Sequence, residues 1–260
     1  MKILCVGDIV AGPGRRLFKD VAKRLRESGE VSAIIVNAEN AAHGKGITVD
    51  IAKEIFAAGA DAITLGDHTW DQKEAAALLE SDRRVARPAN FPAACPGRGW
   101  ASFQSDIGEI VVVNLQGRVF MNPVDCPFAK IDELLTGPLP RNAIVMCDFH
   151  AEATSEKIAM GWHLDGRISA LFGTHTHVQT SDAKVLPSGT GYITDLGMTG
   201  PANSVIGRDI APVLKKFKTG MPSFFDIAGG PSILEGCIFD IDRATRRCKT
   251  ATPVRFHEKA

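Results

Sequence analysis

Five apolar segments of the sequence each end in side chains that bind metal ions or transfer protons in many proteins. These carboxylate, amide and imidazole groups belong to Asp8, Glu39, Asn40, Asp67, His68, His150, His175 and His177. A single Asp or His at such a place is usually a helix cap or a turn residue, so none of them alone indicates chemistry. Their recurrence after five segments does, and four of the seven histidines are among them. The pattern therefore predicts a metal site.

The pair His175 and His177 gives the strongest local signal. In an extended segment, residues i and i+2 point the same way and lie about 6.5 Å apart. That separation allows two imidazoles to contact two metal ions about 3.5–4 Å apart. Because the whole set combines carboxylates, an amide and imidazoles without thiolates, it favours manganese, iron or zinc over magnesium alone.

The five apolar segments are predicted to be buried β-strands of a largely parallel sheet. They comprise Ile3–Val6, Ala33–Val36, Ala60–Leu65, Ala143–Cys147 and, with a weaker pattern, Ile168–Phe172. Helical patterns follow the first three, over Arg15–Ser28, Val49–Ala58 after the N-cap Thr48, and Asp71–Glu80 after Thr69. This alternation predicts the α/β class. In such sheets ligands bind beyond the carboxyl ends of the strands, which is where the chemical groups stand.

The middle and the end of the sequence predict antiparallel strands instead. Trp100–Gln104 and Glu109–Leu115 flank the turn Ser105-Asp106-Ile107-Gly108 and predict a hairpin. The tail, Ser223–Phe256, alternates enough to predict two or three further strands, which we expect to form a second sheet. Since the sequence has no repeat, low-complexity tract or linker, residues 1–260 are predicted to form one domain.

The composition excludes several classes of protein. Thirty basic residues balance 30 acidic ones, and this zero net charge argues against a surface that binds extended nucleic acid. No apolar run approaches the roughly 18 residues of a membrane span. Asp8 interrupts the apolar start, so the N-terminus does not fit a secretory signal. The six cysteines form no C-x-x-C pair. We therefore expect a reduced, soluble, cytoplasmic protein with no membrane partner.

Three features allow two interpretations each. The segment Gly12–Arg16 enters a predicted helix and is either a phosphate-binding turn or a plain turn, although it lacks the G-x-G-x-x-G spacing. Asp71 either orients His68 or stabilises the dipole of the helix that it begins. His43 follows Asn40 closely and is either a loop residue or part of the cleft wall.

The strings around these residues resemble the calcineurin-type metallophosphoesterases. The order Gly-Asp, Glu-Asn, Gly-Asx-His (where Asx is Asp or Asn), Asp-Phe-His and Gly-Thr-His-Thr-His resembles that superfamily. Longer strings, at residues 37–46, 150–157 and 173–180, are similar to its bacterial 2′,3′-cyclic-nucleotide 2′-phosphodiesterases. The resemblance extends from Met1 to about Asp242.

The resemblance implies a fold and a set of metal ligands. The fold is a four-layer α/β/β/α sandwich of the calcineurin-like metallophosphoesterase type, with two divalent metal ions at the carboxyl edge of its sheets. Iron or manganese is expected, with zinc or magnesium as alternatives. One ion would be held by Asp8, Glu39, Asn40 and His177, and the other by Glu39, Asp67, His150 and His175. Glu39 would bridge the ions and His68 would be the general acid. The subfamily normally has Asn where this sequence has Asp67.

The activity implied is hydrolysis of cyclic nucleotides, preferably 2′,3′-cyclic ones, by attack of a metal-bound hydroxide on phosphorus. The expected partner is thus a small phosphoester. The sequence is also compatible with a homo-oligomer. Three alternatives compete with this activity. One is a broader phosphatase acting on phosphomonoesters or phosphoproteins. Another is a metal-dependent amidohydrolase, which predicts a barrel of eight βα units. The third is a non-catalytic regulator that binds a nucleotide at the metal site.

Overall fold

A computed structural model describes residues 1–105 and 108–258 of the chain. Its helices are α1 Ala11–Glu27, α2 Val49–Ala57, α3 Ala75–Ser81, α4 Pro127–Thr136, α5 Thr154–Leu164 and α6 Ile210–Thr219. Its strands are β1 Lys2–Val6, β2 Asp8–Ile9, β3 Ala33–Asn37, β4 Ala62–Thr64, β5 Val85–Ala86, β6 Trp100–Ser105, β7 Gly108–Gln116, β8 Ile144–His150, β9 Ala170–Thr174, β10 Lys184–Val185, β11 Gly191–Ile193, β12 Met198–Pro201, β13 Ser232–Ile241 and β14 Cys248–His257.

The strands form two sheets. The first has the order β2-β12-β13-β1-β3-β4-β5, with β14 beside β13. Its strands β1, β3, β4 and β5 are parallel, whereas β13 runs antiparallel to β1. The second sheet has the order β10-β11-β9-β8-β7-β6, in which β7, β8, β9 and β11 are parallel and the two edge strands are antiparallel. The parallel strands of both sheets are those that carry the predicted site.

Three buried apolar clusters separate four layers. Phe18 of α1 and Ile55 of α2 pack with the outer face of the first sheet. Ile35 of the first sheet packs with Phe172 of the second, so the two sheets lie face to face. On the far side, Met160 of α5 belongs to the cluster that covers the second sheet. The predicted α/β class and four-layer α/β/β/α arrangement are confirmed, and the barrel required by an amidohydrolase is not the fold of this chain.

The predicted antiparallel strands form, but those of the tail are placed differently. The hairpin is β6–β7, and its turn residues Asp106 and Ile107 lie outside the described residues. The tail gives the antiparallel pair β13–β14. These strands do not build the second sheet as expected, because β13 pairs with β1 and thereby joins the first sheet. Strand alternation along a sequence carries no information on such a distant pairing.

Two predicted helix starts are wrong. Helix α1 begins at Ala11, so Gly12–Arg16 is helical and is neither a turn nor a phosphate loop. Pro13 is tolerated there because the first turn of a helix leaves its N–H groups without intrahelical partners. Arg15, the basic group of the segment, donates to the carbonyl oxygen of Ala41 at 2.6 Å and pairs with Glu54 at 2.9 Å.

Helix α3 begins at Ala75, four residues after the predicted start. The predicted N-cap, Thr69, instead donates its hydroxyl to the carbonyl oxygen of Gly66 at 2.6 Å. Residues 66–74 therefore form turns that follow β4. The other predicted cap is confirmed, since the Thr48 side chain accepts a hydrogen bond from the Ile51 N–H at the start of α2.

The cysteines are isolated thiols in this fold. All six are free, and burial raises the pKa of the Cys5 and Cys147 thiols well above their ordinary value. Within residues 1–105 and 108–258, no helix combines the length and the apolar character needed to cross a bilayer.

Candidate metal centre

The carboxyl ends of β1, β3, β4, β8 and β9 bring the predicted site residues to one edge of the paired sheets. Asp8 begins β2, one residue beyond the end of β1, and His150 is the last residue of β8. His175 and His177 follow directly after β9. The remaining predicted ligands stand in the segments after β3 and β4. The parallel strands therefore bring the predicted site residues to the carboxyl edge, which is where open α/β sheets bind their ligands.

One group of side chains consists of Glu39, Asp67, His150 and His175, whose potential ligand atoms all lie within 4.8 Å of one another. His150 Nε2 is 2.9 Å from Asp67 Oδ1 and 3.2 Å from Glu39 Oε1. His175 Nδ1 is 3.3 Å from the same oxygen of Asp67. Two carboxylates and two imidazoles thus converge on one point.

A second group, Asp8, Asn40 and His177, adjoins the first. Asn40 Nδ2 lies 3.2 Å from His177 Nε2 and 3.5 Å from Asp8 Oδ1. The same amide nitrogen is 3.1 Å from Glu39 Oε1, which places Glu39 between the two groups. The structure therefore brings together all seven residues that the sequence suggested as metal ligands, in two sets that share one carboxylate.

The electrostatics of this cluster fit a cationic ligand. Asp8 and Glu39 are 0% and 1% exposed, and burial raises the pKa of Asp8. Burial alone would lower the pKa of His150, but the charge of Glu39 and the hydrogen bond with Asp67 raise it well above its ordinary value. Buried carboxylates without compensating positive charge are costly. Divalent ions supply that charge, and this mixed oxygen and nitrogen donor set suits them.

A chain of hydrogen bonds fixes the orientation of His150. Its Nδ1 lies 2.8 Å from Thr174 Oγ1, and that hydroxyl donates to Asp148 Oδ1 at 2.7 Å. Because the hydroxyl proton goes to Asp148, Thr174 accepts from Nδ1–H, and Nε2 faces the carboxylates. A metal ion bound there would displace the Nε2 proton and use its lone pair. Burial raises the pKa of Asp148 to about 6. Sequence reasoning missed Thr174 and Asp148 as supports, although 148 and 150 share one face of β8.

His68 lies beside the cluster with its side chain 29% exposed. Its backbone N–H donates to Glu39 Oε2 at 3.0 Å, and its Nδ1 is 3.0 Å from Asp71 Oδ2. Since α3 begins only at Ala75, Asp71 does not stand in the first turn of a helix. Of the two roles considered for Asp71, orientation of His68 is the one that the geometry supports.

Part of the cluster, namely Glu39, Asn40, His175 and His177, lines a cleft of about 780 Å³. Its wall includes His43, Lys45, Arg208, Phe224 and Phe225. Arg208 donates to the carbonyl oxygens of Gly44 at 2.7 Å and Phe225 at 3.2 Å, so it ties the two sides of the wall together. Phe224 is 95% exposed. Sequence reasoning placed His43 as a candidate for this wall and missed Arg208 and Phe224. Arg208 belongs to a stretch without periodic pattern, and Phe224 lies in the tail for which only strands were predicted.

The fold of the chain is that of the calcineurin-like phosphoesterases. The crystal structure of the calcineurin-like phosphoesterase YfkN from Bacillus subtilis has a similar fold, with a TM-score of 0.53, 13% identity, and coverage of 99% of this chain and 90% of that one. Residues 4–254 match the model of the family described as YmdB-like protein, and the chain belongs to that family.

Two relatives are much more similar in sequence. The chain is 48% identical to the 2′,3′-cyclic-nucleotide 2′-phosphodiesterase of Bacillus subtilis strain 168, over 95% of this chain and 94% of that protein. The crystal structure of a phosphatase from Mycoplasma pneumoniae matches with a TM-score of 0.92 and 32% identity, over 99% of this chain and 93% of that one. The resemblance predicted from the sequence is confirmed.

Proposed function

We propose that the chain is a phosphodiesterase that binds two divalent metal ions, iron or manganese in the first place, and hydrolyses 2′,3′-cyclic nucleotides. The observation that carries this proposal is the position of Glu39 between two groups of metal-binding side chains. The relative with 48% identity bears the same activity in its name.

Asp8, Asn40 and His177 would hold one ion, and Asp67, His150 and His175 would hold the other. Glu39 would bridge them, because its carboxylate offers two oxygens, whereas the Asn40 amide offers one good ligand atom. Glu39 Oε1 already faces both groups, at 3.1 Å from the Asn40 amide and 3.2 Å from His150 Nε2. The two ions, when bound, acidify a water molecule and neutralise charge on the phosphate oxygens.

His68 would donate a proton to the departing ribose oxygen. Asp71 accepts the hydrogen bond from Nδ1, which leaves Nε2 to carry the proton that is transferred. Transfer from Nε2 makes the leaving group an alcohol instead of an alkoxide, which is where a general acid contributes to the rate. The hydrogen bond from the His68 backbone to Glu39 keeps this imidazole beside the metal ligands.

The cleft wall suits a nucleoside phosphodiester. Lys45 and Arg208 bring positive charge to it, which favours a phosphate anion. Phe224 offers an exposed aromatic ring, and stacking of a base on such a ring contributes about 1–3 kcal/mol. A substrate with both a phosphate and a base would use both kinds of group.

Metal analysis combined with a hydrolysis panel tests the proposal. Purified protein should contain two ions per chain and should act on 2′,3′-cAMP, releasing the 3′-phosphate, with a higher kcat/KM than on 3′,5′-cAMP or p-nitrophenyl phosphate. A higher kcat/KM on the monoester would identify the chain as a phosphatase, the class to which the Mycoplasma pneumoniae relative is assigned. A fully metallated protein that binds 2′,3′-cAMP and hydrolyses none of the panel would be a nucleotide-binding regulator.

A further inference from the structure

Two of the proposed metal ligands stand in an unfavourable backbone conformation. His175 has a φ of 100° and His177 has a φ of 64°. Both values lie in the left-handed region, which residues other than glycine rarely adopt and which persists only when surrounding contacts fix it. The segment Thr174–His177 must therefore be held by its neighbours.

One ion pair holds the backbone of this segment. Lys157 Nζ donates to the carbonyl oxygen of Thr174 at 2.8 Å and to Asp195 Oδ2 at 2.6 Å. Asp195 Oδ2 in turn accepts a hydrogen bond from the backbone N–H of Thr176 at 3.2 Å. The pair thus fixes the carbonyl group before His175 and the N–H group between the two histidines.

Asp195 is itself held in place. Its Oδ1 accepts a hydrogen bond from the Gly197 N–H at 2.9 Å, so both carboxylate oxygens are engaged. Lys157 extends from α5, on the far side of the second sheet, and Asp195 follows β11 of that sheet. The segment with the two histidines is therefore braced from two different elements.

The ion pair is buried and lies behind the reacting groups. The side chains of Lys157 and Asp195 are 0% and 1% exposed, and neither belongs to the described lining of the cleft, which includes His175, Thr176 and His177. A fully buried ion pair contributes no more to stability, in general, than well-packed apolar side chains of similar size. Its particular effect is the geometry that its hydrogen bonds impose.

We infer that Lys157 and Asp195 are positioning residues that hold His175 and His177 in the conformation required to bind metal ions. The inference rests on the proposed function only in that it takes the site to bind metal. Because the two histidines belong to different groups of ligands, loss of the pair should weaken both ions together.

The test is calorimetric titration of Mn²⁺ into the metal-free full-length protein. Lys157→Met keeps the length of the side chain and removes its charge and both of its hydrogen bonds. It should weaken Mn²⁺ binding at both sites by about 10–100-fold, the usual effect of residues that orient metal ligands. With saturating Mn²⁺, kcat should recover towards the wild-type value, since the ligands themselves remain.

A double variant separates positioning from stability. Lys157→Met combined with Asp195→Leu leaves no unpaired buried charge, so the metal-free protein should unfold at a temperature close to that of the wild type. It should still bind Mn²⁺ about 10–100-fold more weakly. A folded double variant with wild-type Mn²⁺ affinity would overturn the inference. So would failure of both variants to fold, since the pair would then act in folding and not in positioning.

Arg87 provides a matched control. It is 5% exposed and donates to the carbonyl oxygens of Pro88, Cys95 and Pro96, so it too is a buried cation that fixes backbone. Arg87→Met should lower the unfolding temperature and leave Mn²⁺ affinity unchanged. If Arg87→Met weakened Mn²⁺ binding as much as Lys157→Met does, the effect would come from a general loss of stability and not from positioning. If the wild type binds Mn²⁺ but hydrolyses no phosphodiester, the proposed function fails while the positioning role stands.

Discussion

His68 Nδ1 lies 3.0 Å from Asp71 Oδ2, although no regular element contains either residue. A carboxylate at this distance selects the imidazole tautomer with hydrogen on Nδ1 and holds the ring in one orientation. Asp71 therefore orients the imidazole of His68, the proposed proton donor.

His68→Ala should separate metal binding from chemistry. We expect both ions to stay bound and turnover of 2′,3′-cAMP to fall by roughly 10²–10⁴-fold, the usual contribution of a general acid. The loss should be smaller for bis-p-nitrophenyl phosphate, whose leaving group needs little protonation. An equal loss of kcat on both substrates would show that His68 positions the phosphate instead.

Asp71→Asn should reduce kcat on 2′,3′-cAMP by about ten-fold, because a hydrogen bond to a charged group contributes roughly 1.5 kcal/mol. Asp50→Asn is the matched control, since Asp50 is an exposed aspartate of α2 that pairs with Lys53. Steady-state kinetics of the two variants give the comparison. Identical kcat values would leave Asp71 without a role in the reaction.

Glu39→Gln should weaken both metal sites together, because it removes the shared carboxylate charge that faces both groups of ligands. Metal content after dialysis, measured by mass spectrometry, should fall from two ions per chain towards none. The comparison is His177→Ala, which affects one group of ligands and should leave about one ion bound. Loss of a single ion in Glu39→Gln would mean that Glu39 does not bridge.

Asp67→Asn should restore the residue that the subfamily normally has. It removes one negative charge beside His150 and His175, whose nitrogens lie 2.9 and 3.3 Å from Asp67 Oδ1. A more positive centre should attract phosphate more strongly. We therefore expect higher phosphodiesterase activity at neutral pH, tighter inhibition by inorganic phosphate and weaker binding of one metal ion. Complete loss of metal and activity would show instead that the anionic ligand is essential.

Phe224→Ala should raise the KM for 2′,3′-cAMP by about ten-fold, from the loss of base stacking. Ribose 2′,3′-cyclic phosphate, which has no base, should show no such change. Phe217→Ala is the control, because Phe217 is 80% exposed but belongs to α6 and not to the described wall of the cleft. A similar rise in KM on the substrate without a base would exclude stacking.

The sequence was sufficient to predict that these side chains gather at one edge of the sheets, because each group stands at the end of an apolar strand. That relationship is local, since it needs only the strand pattern and the residue that follows it. The resemblance then supplied the four-layer order of the sheets. Errors arose where local signals had two interpretations, as at Gly12–Arg16, where glycine and proline suggested a turn but occupy the first turn of α1.

The remaining features depend on contacts between distant residues. Lys157 and Asp195 are 38 positions apart, and the sequence around each gives no sign that they pair. Arg208 reaches Gly44 from 164 positions away, in a stretch without strand or helix periodicity. Such contacts can be recognised only in the three-dimensional structure, although Lys157 does belong to one of the sequence strings that carry the resemblance.

The antiparallel pairing of β13 with β1 has a consequence for biosynthesis. β1 is synthesised long before its neighbour on one side, residues 232–241, which include the Glu235 carbonyl that accepts from the Gly7 N–H at 3.0 Å. Asp8, one of the clustered carboxylates, comes directly after Gly7. A nascent chain therefore cannot complete the first sheet beside Asp8 until residues 232–241 have been made. We therefore expect Asp8, a proposed metal ligand, to reach its final position only after residues 232–241 have been synthesised.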